Sequence, residues 1–285
     1  MSEQNWILTA HCPSKLGTVD AVTRILYEHS QYITDLQSFD DEFHQHFFIR
    51  AQFRSEKPLD ETQFRCEFQA RADTFNMQWQ LSPRDLTYRM VIMVSRFDHC
   101  LNDLLYRYRT GQLNVTIPAI ISNHPDLEPL ARWHNIPYHH LPITAESKPE
   151  QEAQVLQIIQ DSNADLVVLA RYMQVLSEEM CSTLAGQAIN IHHSLLPGFK
   201  GARPYHQAYE KGVKLVGATA HYVNTDLDEG PIITQGIEPV DHTYYPEDLT
   251  AKGRDIECVT LARAVRYHIE RRIFLCGNRC IVFAD

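Results

Sequence analysis

The 285-residue sequence has no apolar run long enough to cross a bilayer, no Gly-x-Gly-x-x-Gly, no Gly-rich phosphate loop and no Cys-x-x-Cys. A membrane partner and a nucleotide cofactor are therefore not expected. Internal repeats and low-complexity tracts are also missing. Basic residues are in the minority: 26 Lys and Arg against 36 Asp and Glu give a net charge of −10. That argues against nucleic acid, whose binders gain affinity from clustered Lys and Arg. The local run through Arg263, Arg266, Arg271 and Arg272 falls on a predicted helix with Glu270 and reads as a solvated face. Seven cysteines, an odd number, make no disulfide framework, and Cys276 and Cys280 lack partners at metal-site spacing. Reduced thiols, together with an N-terminal Met1-Ser2-Glu3-Gln4-Asn5 that lacks a basic signal-peptide stretch, place the expected setting in the cytoplasm.

Hydrophobic residues make up 44% of the chain, enough for a sizeable core, and the length suits one or two domains. Over residues 1–82 the pattern is strand Trp6–Ala10, helix Gly17–His29 with Val19, Val22, Ile25 and Leu26 on one face, and strands Gln31–Phe39 and Phe43–Phe53 around an Asp40-Asp41-Glu42 turn. Helix Glu61–Ala72 and strand Phe75–Leu81 follow. The order βαββαβ predicts a ferredoxin-like sandwich. A linker is expected over 83–87, where Pro83 breaks the preceding strand. From 88 to 285 strands and helices alternate: Tyr88–Ser95, His99–Arg109, Val115–Ile121, Leu127–His134, Tyr138–His140, Glu150–Asp161, Leu166–Ala170. Continuous apolar strands joined by helices predict a doubly wound, mostly parallel α/β domain, which binds ligands beyond the carboxyl ends of its strands. Leu215–Val223 and Ile232–Val240 read as a late antiparallel addition, and a long helix runs from Pro246 to about Arg272.

The most informative stretch is Ile189-Asn190-Ile191-His192-His193-Ser194-Leu195-Leu196-Pro197. Ala188–Ile191 reads as a buried strand, and residues 190 and 192 point to the same side of it. A neutral amide donor thus stands beside a group that titrates near pH 7, a pair suited to polarising a carbonyl while a proton moves. Asp228, on a turn between two apolar runs, is a candidate third member, although Asp is common in turns for purely local reasons. His193 reads equally as an outward loop histidine, and His221, among small and apolar strand residues, as a core histidine.

Asn-x-His-x-Ser-Leu-Leu-Pro, then His221 on a strand, then Leu227-Asp228-Glu229-Gly230-Pro231-Ile232-Ile233, resembles the formyltransferase superfamily that uses 10-formyltetrahydrofolate. Within it, His-His-Ser and the continuation Gly198-Phe199-Lys200-Gly201-Ala202-Arg203-Pro204-Tyr205 resemble the formyltetrahydrofolate deformylases. The resemblance spans about residues 86–283. It implies hydrolysis of 10-formyltetrahydrofolate to formate and tetrahydrofolate, with folate as the substrate and no cofactor or metal. Asn190 would donate to the oxyanion, His192 would act as acid and base, and Asp228 would orient His192, hold it charged or activate water. It further places His193 and His221 behind or beside the reacting groups. Arg171, Tyr172, Met173, Val175 and Leu176 would fall in the folate loop. Ser122 and Asn123 would fall in the loop that holds the second substrate's phosphate in the related transformylase.

The first eighty residues, with Cys12-Pro13-Ser14-Lys15-Leu16-Gly17 after the first strand and Phe47-Phe48-Ile49-Arg50 in the third, look like an ACT domain. That resemblance implies a small amino-acid effector or a purely oligomerising role, and in either case a homo-oligomer. Formyl transfer to an amine such as glycinamide ribonucleotide is the alternative reaction. A non-catalytic folate or amino-acid sensor is the alternative outside enzymology. Zinc hydrolysis is disfavoured: His134, His139, His140, His192, His193 and His221 show no ligand spacing, since adjacent strand histidines face opposite ways.

Overall fold

The computed structural model describes residues 4–55, 58–198 and 204–284. Among these, no helix is long and apolar enough to cross a membrane. The chain divides into two compact units: Met1–Leu86 with Glu270–Phe274 and Phe283–Asp285, and Thr87–Ile269 with Leu275–Val282.

In the first unit, β1 (Gln4–Pro13), α1 (Thr18–Glu28), β2 (Gln31–Asp41), β3 (His46–Ser55), α2 (Glu61–Phe75) and β4 (Gln78–Pro83) form an antiparallel sheet of order β2-β3-β1-β4. This is the expected ferredoxin-like βαββαβ arrangement. Alternating residues such as Leu8, Ala10, Ile49, Ala51 and Phe53 meet Val22, Ile25, Leu26, Phe64 and Phe68 in one core. Val19, expected on the buried helix face, is 41% exposed; Thr18 and Ala21 take the buried positions instead. The Asp60 carboxylate caps α2 by accepting from Gln63 N, and Asn76 in the left-handed region ends it. The helix therefore runs to Phe75, a turn longer than its apolar pattern suggested, and β4 starts later.

Pro83 still pairs with Trp6 as the last residue of β4, so the connection between units is shorter than 83–87. The return of 270–274 to this unit also lies outside a linear 88–285 domain. Its cause is tertiary: Arg50, 1% exposed, donates from Nε and Nη2 to the Glu270 carbonyl at 3.2 Å and from Nη1 to Asp35 at 2.9 Å. Phe274 meets Phe48 edge-on.

The second unit contains β5 (Tyr88–Val94), α3 (His99–Arg109), β6 (Val115–Thr116), β7 (Ile120–Ser122), α4 (Glu128–Trp133), β8 (Tyr138–His140), α5 (Lys148–Asp161) and β9 (Leu166–Leu169). It continues with α6 (Glu178–Thr183), β10 (Ala188–His192), α7 (Pro204–Lys211), β11 (Leu215–Tyr222), β12 (Ile232–Pro239) and α8 (Pro246–Ile269). The hairpin β13 (Ile273–Cys276) and β14 (Arg279–Val282) ends the chain. The sheet order is β12-β11-β10-β9-β5-β7-β8, parallel from β10 to β8 and antiparallel at β11 and β12. The single strand expected over Val115–Ile121 is two, interrupted at Ile117-Pro118-Ala119, where proline has no N–H for a ladder. Helices α6 and α7 and the terminal hairpin carry no pattern strong enough to have been expected. The strand order reverses between β5 and β9, and the loops leaving both strands open at the carboxyl edge beside β10. That is where an open α/β sheet forms its ligand crevice.

Candidate active site

Asn190 and His192 fall within the last three positions of β10, between parallel β9 and antiparallel β11. Asn190 lies opposite Leu169 on one side and His221 on the other; His192 lies opposite Thr219. The intervening Ile189 and Ile191, 0% and 3% exposed, turn into the core. The period of two therefore delivers the amide and the imidazole to one side, into a cavity of about 300 Å³ that also admits His193, His221, Asp228 and Arg171.

Three histidines and a carboxylate set the polarity. His192 Nδ1 lies 3.2 Å from Asp228 Oδ2, and its Nε2 is buried with no hydrogen-bond partner. His221 Nδ1 sits 2.8 Å from the Tyr222 carbonyl, to which it donates. That fixes the neutral tautomer, so His221 Nε2 accepts from Asn190 Nδ2 at 3.3 Å. The second Nδ2 hydrogen of Asn190 then remains for a ligand. Burial and the charge of His192 depress the His221 imidazole, although the Tyr222 carbonyl and Asp228 oppose this. Burial, followed by the neighbouring Arg171 and His192 charges, pushes His193 down to about 4. Burial raises the Asp228 carboxyl, but the hydrogen bond and charge of His192 lead the effects that outweigh it and leave it below the ordinary value.

Backbone geometry explains the flanking motif. Asp228 adopts φ +57, a left-handed turn that Asp tolerates, and this brings its carboxylate back to the strand. Gly230 packs so closely on Tyr222 that a Cβ would lie 1.7 Å from its carbonyl oxygen and 3.1 Å from His221 Nδ1. The glycine thus lets the Tyr222 carbonyl stay where it sets the His221 tautomer. After His192, the chain is held by Thr219, whose hydroxyl donates to Ser194 O at 2.8 Å and accepts from Leu196 N at 3.0 Å. Residues 199–203 of the Gly198–Tyr205 motif lie outside the described residues.

Of the expected folate-loop residues, Arg171, Tyr172, Met173, Val175 and Leu176 all line the cavity. Tyr172 is 5% exposed and joins the core, its hydroxyl held by Gln151 at 3.1 Å, whereas Met173 and Val175 are exposed at the rim. Ser122 and Asn123 are not among the lining residues. Both are buried, Asn123 accepting from Ser95 Oγ at 2.7 Å and Ser122 Oγ accepting from His124 N at 3.1 Å. Ser95 in turn accepts from Met173 N, so these residues brace the loops that leave β5 and β9.

Sequence reasoning missed Glu257, which is 1% exposed on α8. It accepts from His99 Nε2 at 2.7 Å and from Tyr205 OH at 2.9 Å, and lies 3.5 Å from Arg171 Nη1. Burial raises its carboxyl, but His99 and Arg171 hold it below the ordinary range. The signal was present: Leu249, Gly253, Glu257, Leu261 and Val265 recur every four residues, which puts a carboxylate on the buried stripe. Gly253 leaves room for Tyr205, whose hydroxyl would stand 1.9 Å from a Cβ there. Among the described residues His99, Cys100 and Glu257 form one cluster with metal-ligand atoms, but the Arg171 guanidinium on Glu257 opposes a cation there.

Residues 88–265 match the Formyl transferase family. A formyltetrahydrofolate deformylase from Corynebacterium sp. (strain P-1) is 51% identical over 99% of each chain. The crystal structure of a formyltetrahydrofolate deformylase from Pseudomonas putida KT2440 superposes with a TM-score of 0.92 at 62% identity, over 98% of this chain and 100% of that one. Glycinamide ribonucleotide transformylase 1 from Symbiobacterium toebii matches only 70% of this chain, covering 95% of its own, with a TM-score of 0.66 and 32% identity. This chain belongs to the formyl transferase family and, within it, to the formyltetrahydrofolate deformylases.

Proposed function

We propose that the chain hydrolyses 10-formyltetrahydrofolate to formate and tetrahydrofolate. The observation that carries this reading is His192. Its Nδ1 faces Asp228 at 3.2 Å while Nε2 is buried without a hydrogen-bond partner, on a residue that lines the same cavity as Asn190. With Nδ1–H donated to the carboxylate, Nε2 is the working atom. It takes a proton from water as the water oxygen attacks the formyl carbon, and the formyl oxygen becomes an oxyanion that accepts from Asn190 Nδ2. Collapse of the intermediate breaks the carbon–nitrogen bond, and the folate nitrogen leaves with the proton held on Nε2. Formic acid ionises to formate. Every step uses side chains and water, so the folate is substrate and no cofactor enters.

Asp228 holds the His192 tautomer and stabilises the imidazolium formed in the first step. His221 is a positioning residue that orients Asn190. Arg171, Tyr172, Met173, Val175 and Leu176 supply the wall against which a flat pterin ring would lie. The test is formate release from 10-formyltetrahydrofolate by the purified chain, with chelator and without any amine. Turnover that vanishes in Asp228→Asn supports the reading; release only after glycinamide ribonucleotide is added would replace it with formyl transfer.

The first unit, on the same reading, serves self-association or binds a small amino-acid effector. Self-association is the better supported, because β2 is an 11-residue edge strand bearing Tyr32 at 55%, Leu36 at 40% and Phe39 at 43% exposure. An uncovered edge with apolar side chains pairs readily with another chain. Sedimentation showing only monomers at micromolar concentration would remove this role. A reducing cytoplasmic setting fits the seven free cysteines.

A further inference from the structure

The hydrolytic scheme uses Arg171 only as part of the cavity wall and gives its guanidinium charge no role. It follows β9 directly and adopts φ +66, a left-handed conformation that costs a non-glycine residue on the order of 1 kcal/mol. The side chain is only 9% exposed, and its guanidinium stacks over the Phe97 ring at 5.2 Å. Glu257 lies 3.5 Å from Nη1, too far for a hydrogen bond, and the best acceptor positions of that carboxylate are taken by His99 and Tyr205. Both Nε and Nη1 are buried without a hydrogen-bond partner. A strained backbone thus holds a buried guanidinium with two unsatisfied N–H groups at the wall of the cavity that His192 and Asn190 also line. Buried donors left unpaired are costly and point to a ligand that satisfies them.

The chemistry of the reaction names that ligand. Hydrolysis converts a neutral formamide and water into a neutral amine, a carboxylate and a proton. Transfer to an amine would convert one neutral formamide into another. Only the hydrolytic outcome creates an anion for a guanidinium to hold. His193 lies beside His192, ring centroids 5.0 Å apart, and burial, helped by the Arg171 charge, keeps it neutral.

We propose that Arg171 forms a carboxylate subsite that binds the released formate, and so favours water over an amine as the acceptor. The site rests on the deformylase reading for the identity of the anion. The other carboxylate source is the glutamyl tail of the folate, but a charged tail belongs at the solvent rim, where Met173 and Val175 lie, and Arg171 is buried behind it.

The experiment is calorimetric titration of the full-length chain with sodium formate and, separately, with p-aminobenzoylglutamate, in wild type, Arg171→Gln, Arg171→Lys and Glu257→Gln. Wild type should bind one formate per chain. Arg171→Gln should weaken formate by about ten-fold or more, the loss expected for one charge-assisted contact, with p-aminobenzoylglutamate within about three-fold. Arg171→Lys should fall between, since a point charge replaces part of the guanidinium. Glu257→Gln, which keeps Arg171 and frees it from its neighbouring charge, should bind formate at least as well as wild type. Formate affinity unchanged in Arg171→Gln overturns the subsite. So does a loss confined to p-aminobenzoylglutamate, which would assign Arg171 to the tail. Should Arg171→Gln not fold, loss of formate binding in the folded Glu257→Gln chain overturns it instead. Binding is read without turnover, so a chain that binds formate through Arg171 yet releases none from 10-formyltetrahydrofolate fails the proposed function and not this site.

Discussion

Asn190 and His221 are cross-strand partners on β10 and β11, and their side chains meet at 3.3 Å between Nδ2 and Nε2. The Tyr222 carbonyl, 2.8 Å from His221 Nδ1, decides the direction of that contact. With Nδ1 protonated, Nε2 can only accept, so Asn190 must present its NH2 and cannot flip. The remaining Asn190 N–H, which the proposed mechanism assigns to the formyl oxygen, is thereby aimed by a neighbouring strand.

Asn190→Ala should lower kcat for formate release by about 10²–10³, the usual loss for one oxyanion donor, with folate affinity nearly unchanged. Parallel turnover and equilibrium-binding measurements check this. An equal loss in both would mean that Asn190 binds the ground state and does not act on the transition state.

His221→Phe keeps the ring volume and removes the acceptor. Turnover should fall about 10–100-fold, as for other supporting groups behind a reactive one. Because burial keeps His221 neutral, the acid limb of the remaining pH–rate profile should stay where it is in wild type. A displaced limb would show that His221 itself titrates in the mechanism.

Asp228→Asn should cost about 10²–10⁴ in kcat, since an amide can present the wrong group to His192 Nδ1 and select the opposite tautomer. Substrate affinity, read by fluorescence quenching, should change far less.

His193 carries a stability signature. Its folded pKa of about 4 lies below the 6.5 of the free imidazole. Above pH 6.5 both folded and unfolded forms are neutral. As pH falls from 6.5 to 4 only the unfolded chain takes up the proton, so stability declines by ~3 kcal/mol and then levels off. Asp228, held below its ordinary value, contributes in a separate window and loses its contribution only at pH below about 4. Urea unfolding should show His193→Gln losing less stability than wild type between pH 6.5 and 4.

Gly230→Ala adds a methyl group that must displace the Tyr222 carbonyl. The expected cost is about 1–3 kcal/mol of overpacking, with a loss of turnover like that of His221→Phe because the same carbonyl sets that tautomer. A lowered Tm with unchanged turnover would separate the packing effect from the tautomer.

What could be read along the chain was whatever repeats locally. Period-two alternation placed Asn190 and His192 on one side of β10, the apolar runs marked the parallel strands, and the ordered motif tied Asp228 to both. Val19 and the divided strand at Ile117-Pro118-Ala119 mark where local pattern loses to packing and to a missing N–H. Glu257 sits on a buried stripe visible as a four-residue repeat, but nothing in the repeat says which charges it meets. Its partners lie 52, 86 and 158 positions away, at Tyr205, Arg171 and His99. Ser122 and Asn123 show the converse, since residues that looked like ligand donors are hydrogen-bonded to Ser95 and His124 inside the protein.

By itself, the sequence determined the two folding patterns and singled out Asn190, His192 and Asp228 as candidates, because strand period and motif order are properties of neighbouring residues. Tertiary structure alone decided which nitrogen of His221 is protonated, how Asn190 faces the cavity and where Arg171 and Glu257 meet. Those outcomes depend on hydrogen bonds and charges between chain segments that only the folded sheet brings within a few ångströms of each other.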